Sequence, residues 1–225
     1  GIDLIISSIE MHWNCEKEIR VQSLHMPDKS YLATTLMQEY SNNIIPITCV
    51  CGPYCKLYKR SIILQNSIRF DTALSFGEDT YFNMDYIKHC RNIVSMSESF
   101  YCYMRENENS LFTRFQKDTY RQSKIVFLHT LEIVRELNCG VETEMQLELT
   151  YVQNMISYLI KAVKRADKNT VFQYMREASE DSYLLKNYSK LKYNKRIYFL
   201  GVLLLKKRFY LAYYLCKGWI KLVRR

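Results

Sequence analysis

The strongest constraint in this chain is a change of hydrophobic period near residue 112. Before it, apolar runs are short and rich in β-branched residues, as in Ile2 to Ile9. After it, apolar positions recur at helical spacing for more than a hundred residues. Leu147, Tyr151, Met155, Tyr158 and Leu159 mark one such face. Only 6 Gly and 3 Pro occur in 225 residues, so a turn-rich all-β protein is excluded. The predicted class is α/β with few strands, followed by an all-α helical region, helix-dominated overall. The boundaries implied are 1–112, a helical domain over 113–195, and a basic amphipathic helical tail over 196–225.

Charge is uneven. Ser182 to Arg225 contains 12 Lys and Arg and no acidic residue. The other residues carry 20 basic against 23 acidic groups, a net of −3. A near-neutral body with a basic, aromatic tail points to an anionic surface met at one end, a membrane rather than nucleic acid. The longest apolar run, Ile197 to Leu205, is far short of the roughly 20 residues of a spanning helix. The start, Gly1-Ile2-Asp3-Leu4, has no initiator Met and no basic leader, so the chain is read as part of something longer. The eight Cys then read as reduced thiols. Cys49, Cys51 and Cys55 lack the second ligand pair of a zinc site.

Along the chain, Ile2 to Ile9 is a strand, and 10–29 is irregular. Ser30 caps a helix over Tyr31 to Tyr40. Ile44 to Val50 is extended, with Pro46 inside it. Ser61 starts a short helix, and Ile68 to Asp71 is extended. Glu78 and Asp79 open a helix to about His89. Asn92 to Met96 and Ser99 to Met104 are two strands. Helices follow over Phe115 to Leu137, Glu142 to Arg165, Asp167 to Ala178 and Asp181 to Lys190. On the final helix, Leu211, Ala212, Leu215, Trp219 and Leu222 fall on one apolar side.

Three motifs occur in order: GPYCKLYKRSII (52–63), NSIRFDTALSFGEDTYF (66–82) and YCYMRENENSL (101–111). Together they resemble the second half of the catalytic domain of family 2 glycosyltransferases with the GT-A fold, of the bacterial surface-polysaccharide type. The resemblance covers roughly residues 1–112. It implies inverting transfer from a nucleotide-sugar donor to a glycan or lipid-linked acceptor, with Asp79 as general base. Glu78, Lys56 and Tyr54 would meet the acceptor, and Arg105 and Ser110 the donor diphosphate. Tyr54 stands one position from where the family places a Trp. The chain has no D-x-D motif. The resemblance therefore places the divalent metal, Mg or Mn, and most of the nucleotide pocket in a preceding half. The strands at Ile2–Ile9 and Asn92–Met104 would then lack sheet partners. It also implies a cytoplasmic enzyme, peripheral on the inner face of the membrane. The physical chemistry agrees: first-turn carboxylates suit the positive end of a helix, and a guanidinium suits phosphate oxygens. The rival expectation is a non-catalytic membrane-surface or protein-interaction module. A weaker one, RNA binding, lacks a supporting motif.

Overall fold

The computed structural model describes residues 1–15, 18–105 and 118–223. Five strands form one mixed sheet: β1 (Leu4–Cys15), β2 (Glu18–Leu24), β3 (Lys29–Tyr31), β4 (Lys56–Tyr58) and β5 (Ile93–Arg105). Between them lie α1 (Ala33–Ser41), α2 (Ile47–Cys51), α3 (Arg60–Gln65) and α4 (Glu78–Ile87). The rest is helical: α5 (Thr119–Glu136), α6 (Val141–Arg165), α7 (Lys168–Ser179), α8 (Ser182–Asn187), a 3-10 turn (Tyr188–Tyr193), α9 (Lys195–Leu205) and α10 (Phe209–Val223). The chain is thus an α/β part with few strands followed by an all-α region. It divides into two compact units, Gly1–Ser110 with Ile125–Leu147, and Leu111–Lys124 with Glu148–Arg225.

In the first unit the sheet order is β2-β1-β5-β3, and β4 also pairs with β1. β1 runs parallel to β5 and antiparallel to β2 and β4. The strands at residues 2–9 and 92–104 are therefore each other's partners, which corrects the expectation that both would be unpaired. Leu4, Ile6, Ser7, Ser8 and Ile9 are all buried, as suits a central strand covered on both faces. Asp3 fastens its start. Its carboxylate accepts from the Arg91 and Asn92 N–H groups at 2.9 and 3.2 Å and from Lys59 Nζ at 3.1 Å. The Arg91 N–H bond is the largest influence on that carboxyl, and the net effect holds it below the usual carboxylate range.

Other expectations shift for identifiable reasons. Residues 10–15 and 18–24, expected to be irregular, pair as antiparallel strands, with Met11 opposite Gln22 and Trp13 opposite Arg20. The two short strands at 92–104 are one strand, β5, with register shifts near Met96 and Ser99. There Ser97 departs from the ladder and gives its N–H and hydroxyl to the Asp28 carboxylate at 2.7 and 2.6 Å. Ser30 and Tyr31 lie in β3 rather than opening a helix, and Leu32 is the N-cap of α1. Pro46 proves to be the N-cap of α2, where its missing N–H costs nothing. No strand forms at Ile68 to Asp71.

The second unit is built from α7 to α10 with the adjoining parts of α5 and α6. Val152, Ile156, Leu159, Leu184, Leu200, Leu204, Ala212 and Cys216 are fully or nearly fully buried. Gly201 of α9 faces Leu184 and Ile156, and a Cβ there would meet them in ordinary contact at 3.5 and 3.7 Å. Asp167 caps α7 as expected, accepting from Thr170 N–H at 3.0 Å.

Candidate functional site

The segment Cys51 to Tyr58 and the first turns of α4 come together on one side of β1. Chain pairing places the segment: Ile6 is opposite Lys56 and Leu4 opposite Tyr58. Ser7 N–H donates to the Cys55 carbonyl at 2.9 Å. Cys55 itself has a positive φ of 56°, a left-handed position that turns the chain into β4.

Gly77 sets the start of α4. Its φ is +80°, and a Cβ there would sit 2.9 Å from Val126 Cγ2. Glycine is needed for both reasons. Glu78 and Asp79 follow as the first two helical residues, both half-buried. Asp79 Oδ1 accepts from Thr80 N–H at 2.7 Å, satisfying one open donor of the helix start. Asp79 Oδ2 takes no hydrogen bond among the described residues. The Glu78 carboxylate takes no side-chain hydrogen bond among the described residues either.

Asn83 links this turn to the preceding segment. It is 1% exposed. Its amide donates to the Cys51, Gly52 and Asp79 carbonyls at 2.8, 3.1 and 2.8 Å. Its own oxygen accepts from Tyr58 OH at 2.6 Å. One side chain therefore ties the Asp79 turn to the Gly52 turn and to β4. Tyr86, one turn further on, donates its hydroxyl to Asp3 O at 2.6 Å and accepts from Lys59 N–H at 2.7 Å. On the other side of α4, the His129 ring stacks on Tyr81 with centroids 3.6 Å apart, and its Nε2 lies 3.1 Å from Asp85 Oδ1. Burial pushes the Asp85 carboxyl up, but His129 and Lys88 outweigh it and hold it below its ordinary value.

Lys56 is half-buried. Its amine donates to the Gly52 carbonyl at 2.6 Å and the Tyr54 carbonyl at 3.3 Å. Burial lowers its pKa, opposed by Cys55, Cys51, Cys49 and Asp79. Lys56 therefore braces its own turn while lying within electrostatic reach of Asp79. The Tyr54 ring stacks on Tyr101 at 4.8 Å and tilts against Tyr103 at 5.4 Å. Tyr101 and Tyr103, two residues apart on β5, share a face of the strand. Burial first, then Tyr103, Cys55 and Asp79, push the Tyr54 hydroxyl up to about 12.

The structure thus brings Asp79, Glu78, Lys56 and Tyr54 into one neighbourhood. Arg105 ends β5 opposite Trp13, but its side chain and all of Ser110 lie outside the described residues. Asn83, Tyr58 and Tyr101 were not singled out by sequence. The pair of tyrosines spaced by two was their visible signal; a buried Asn bonded to distant carbonyls leaves none. Among the described residues no group of His, Cys, Asp and Glu fits a metal ion.

Asn83→Ala is expected to lower stability by about 1–3 kcal/mol, because the Tyr58 hydroxyl and the Cys51 carbonyl lose their partner in a buried setting. Urea denaturation measures this. Asn66→Ala, which removes an exposed residue's bond to Ile62 O, is expected to change stability by no more than about 0.5 kcal/mol.

No protein-family model matches the chain, and no curated protein matches its sequence.

Proposed function

We propose that the chain is the acceptor-side part of an inverting glycosyltransferase. The reaction is transfer of a sugar from a nucleotide-sugar to a glycan or lipid-linked acceptor in surface polysaccharide synthesis. The observation that carries this reading is the start of α4. Asp79 has one oxygen fixed by Thr80 N–H and the other unbonded among the described residues. Asn83 ties the Asp79 turn to the Gly52 carbonyl, which Lys56 also holds, and Lys56 reaches the Tyr54 carbonyl beside the Tyr54–Tyr101–Tyr103 rings.

In the proposed step, Asp79 accepts the proton of an acceptor hydroxyl as its oxygen attacks the anomeric carbon. The bond from that carbon to the diphosphate breaks, and the nucleoside diphosphate leaves with the electron pair. Attack opposite the leaving group inverts the configuration. Glu78 is assigned to acceptor hydroxyls by the motif resemblance, and the tyrosine rings would offer flat apolar faces to a sugar. Arg105 and Ser110 are assigned to the diphosphate by the motif resemblance alone. A divalent Mg or Mn ion belongs to the proposal for the complete enzyme. The described residues do not supply its ligands, so no step is routed through it. The proposed location is the cytoplasmic face of the membrane. No described helix is long and apolar enough to cross a bilayer.

The test is acceptor-dependent release of nucleoside diphosphate by the complete gene product, assayed across a panel of nucleotide-sugars with membrane lipid extracts or oligosaccharides as acceptors. Release with at least one donor supports the reading. No release with any donor favours the non-catalytic interaction module instead.

A further inference from the structure

The hairpin of α9 and α10 carries an apolar and basic surface that the core of the second unit does not use. Ala212, Tyr213 and Cys216 are buried. Tyr213 and Tyr210 meet Phe172 of α7 edge-on, at 5.7 and 4.9 Å, and Lys168 lies over all three rings. These contacts set the rotation of α10 about its axis. Leu211, read from spacing as on the same apolar side as Ala212, points away from the packed side and is 50% exposed. Tyr214, 59% exposed, stands on the same outer side; Tyr210, packed on Phe172 by one edge, is still 64% exposed at its margin, and Lys217 is exposed beside them.

The turn between the helices adds three consecutive exposed cations, Lys206, Lys207 and Arg208. It is a fixed turn. Lys207 is left-handed at φ 53°, and the N–H groups of Lys206, Lys207 and Arg208 return to the Val202, Leu204 and Leu203 carbonyls. On α9, Phe199 is exposed and shares its outer stripe with Lys195 and Lys206. The nearby acid, Glu180, is 4.0 Å from Lys207 Nζ with both groups exposed, a pair that water largely screens.

We infer that the outer surface of the α9–α10 hairpin docks on an anionic lipid leaflet, with Tyr210, Leu211 and Tyr214 at headgroup level and the turn cations against lipid phosphates. Charge complementarity selects this occupant: 12 basic residues and no acid from Ser182 onward. Tyrosine and leucine beside lysine suit a helix lying in the interface. This goes beyond the transfer chemistry. Vesicle binding needs neither donor nor acceptor, so the two proposals fail separately.

The experiment is flotation of the 225-residue chain with phosphatidylcholine vesicles, with and without phosphatidylglycerol. Binding is expected only with the anionic vesicles, and it weakens with added salt. The double variant Leu211→Glu with Tyr214→Glu should lower partitioning by at least about tenfold. Lys206→Gln and Lys217→Gln should each lower it by about fivefold. All four positions are exposed, and unchanged melting curves by circular dichroism verify folding. Val141→Glu, at an exposed position of the other unit, should leave binding as it is. No flotation, equal binding to neutral vesicles, or undiminished binding by the double variant each overturns the inference. So does a wild-type dimer that the double variant converts to monomer, because a second copy would then be the occupant.

Discussion

Asp79→Asn in the complete gene product is expected to lower sugar transfer by at least about a hundredfold, the usual worth of a positioned base. The substitution is nearly isosteric. An amide oxygen can still accept from Thr80 N–H, as Asp79 Oδ1 does at 2.7 Å, so the first turn of α4 is retained. What disappears is the basic oxygen that takes the acceptor proton. Donor binding, measured by calorimetry with the nucleoside diphosphate, should stay within about twofold, well under the roughly 1.4 kcal/mol of a tenfold change in Kd, since the proposal places the nucleotide and metal away from Asp79. Transfer at a near wild-type rate would remove Asp79 from the mechanism. Loss of transfer together with a fall in melting temperature would mean that the carboxylate serves the helix rather than the reaction.

The largest stability effect is expected in the second unit, at Asp181. Its side chain is fully buried. Oδ2 accepts from Tyr120 OH at 3.0 Å, Tyr151 OH at 2.9 Å and Lys124 Nζ at 2.8 Å, while Oδ1 accepts from Tyr183 N–H at 2.9 Å. One carboxylate thus joins α5, α6 and α8. Asp181→Ala should cost about 3–5 kcal/mol, because the two hydroxyls and the amine lose their acceptor. Lys124 is partly exposed, so water recovers some of its share. The melting temperature should fall by roughly 10 °C.

The same network has a pH signature. Burial raises the Asp181 pKa, but the bonds from Lys124, Tyr151 and Tyr120 outweigh it, so the folded value lies below the ordinary 3.8. A depressed carboxyl contributes its full stability above the unfolded pKa and loses it as pH falls through the folded pKa. Thermal melts of the wild type should therefore drop below about pH 4. Asp181→Asn should be less stable at neutral pH and show a shallower drop in acid. Equal acid sensitivity in both would show that other carboxylates control that limb.

Much of the helical part was legible because its signals are local. Asp167 caps α7, and the apolar positions from Leu147 to Leu159 lie on the buried side of α6 or at its margin. Glu78 and Asp79 open α4 as read. Long-range pairing was less legible. The polar residues Glu10, His12 and Asn14 hid the outer half of β1, which forms only because β2 and β5 flank it. Pro46 before Ile47, Thr48 and Val50 suggested extension, yet those residues make the short helix α2.

On α10 the difficulty was an excess of signal. Apolar residues occupy most of the circumference, so spacing alone admits several buried arcs. Phe172 and Lys168, more than thirty residues away, choose the one containing Ala212, Tyr213 and Cys216. At the candidate site, Asp79 was visible from its motif and its place at a helix start. Asn83 was not, since its role is to satisfy the carbonyls of Cys51 and Gly52 across 32 and 31 residues of chain.

The most direct measurement is the anomeric configuration of the product. Proton NMR can read it on material made by the complete gene product from an α-linked nucleotide-sugar. If Asp79 deprotonates an acceptor that attacks in a single displacement, the product is β-linked, with the configuration inverted. An α-linked product, or a covalent glycosyl–protein intermediate trapped during turnover, would contradict that chemistry.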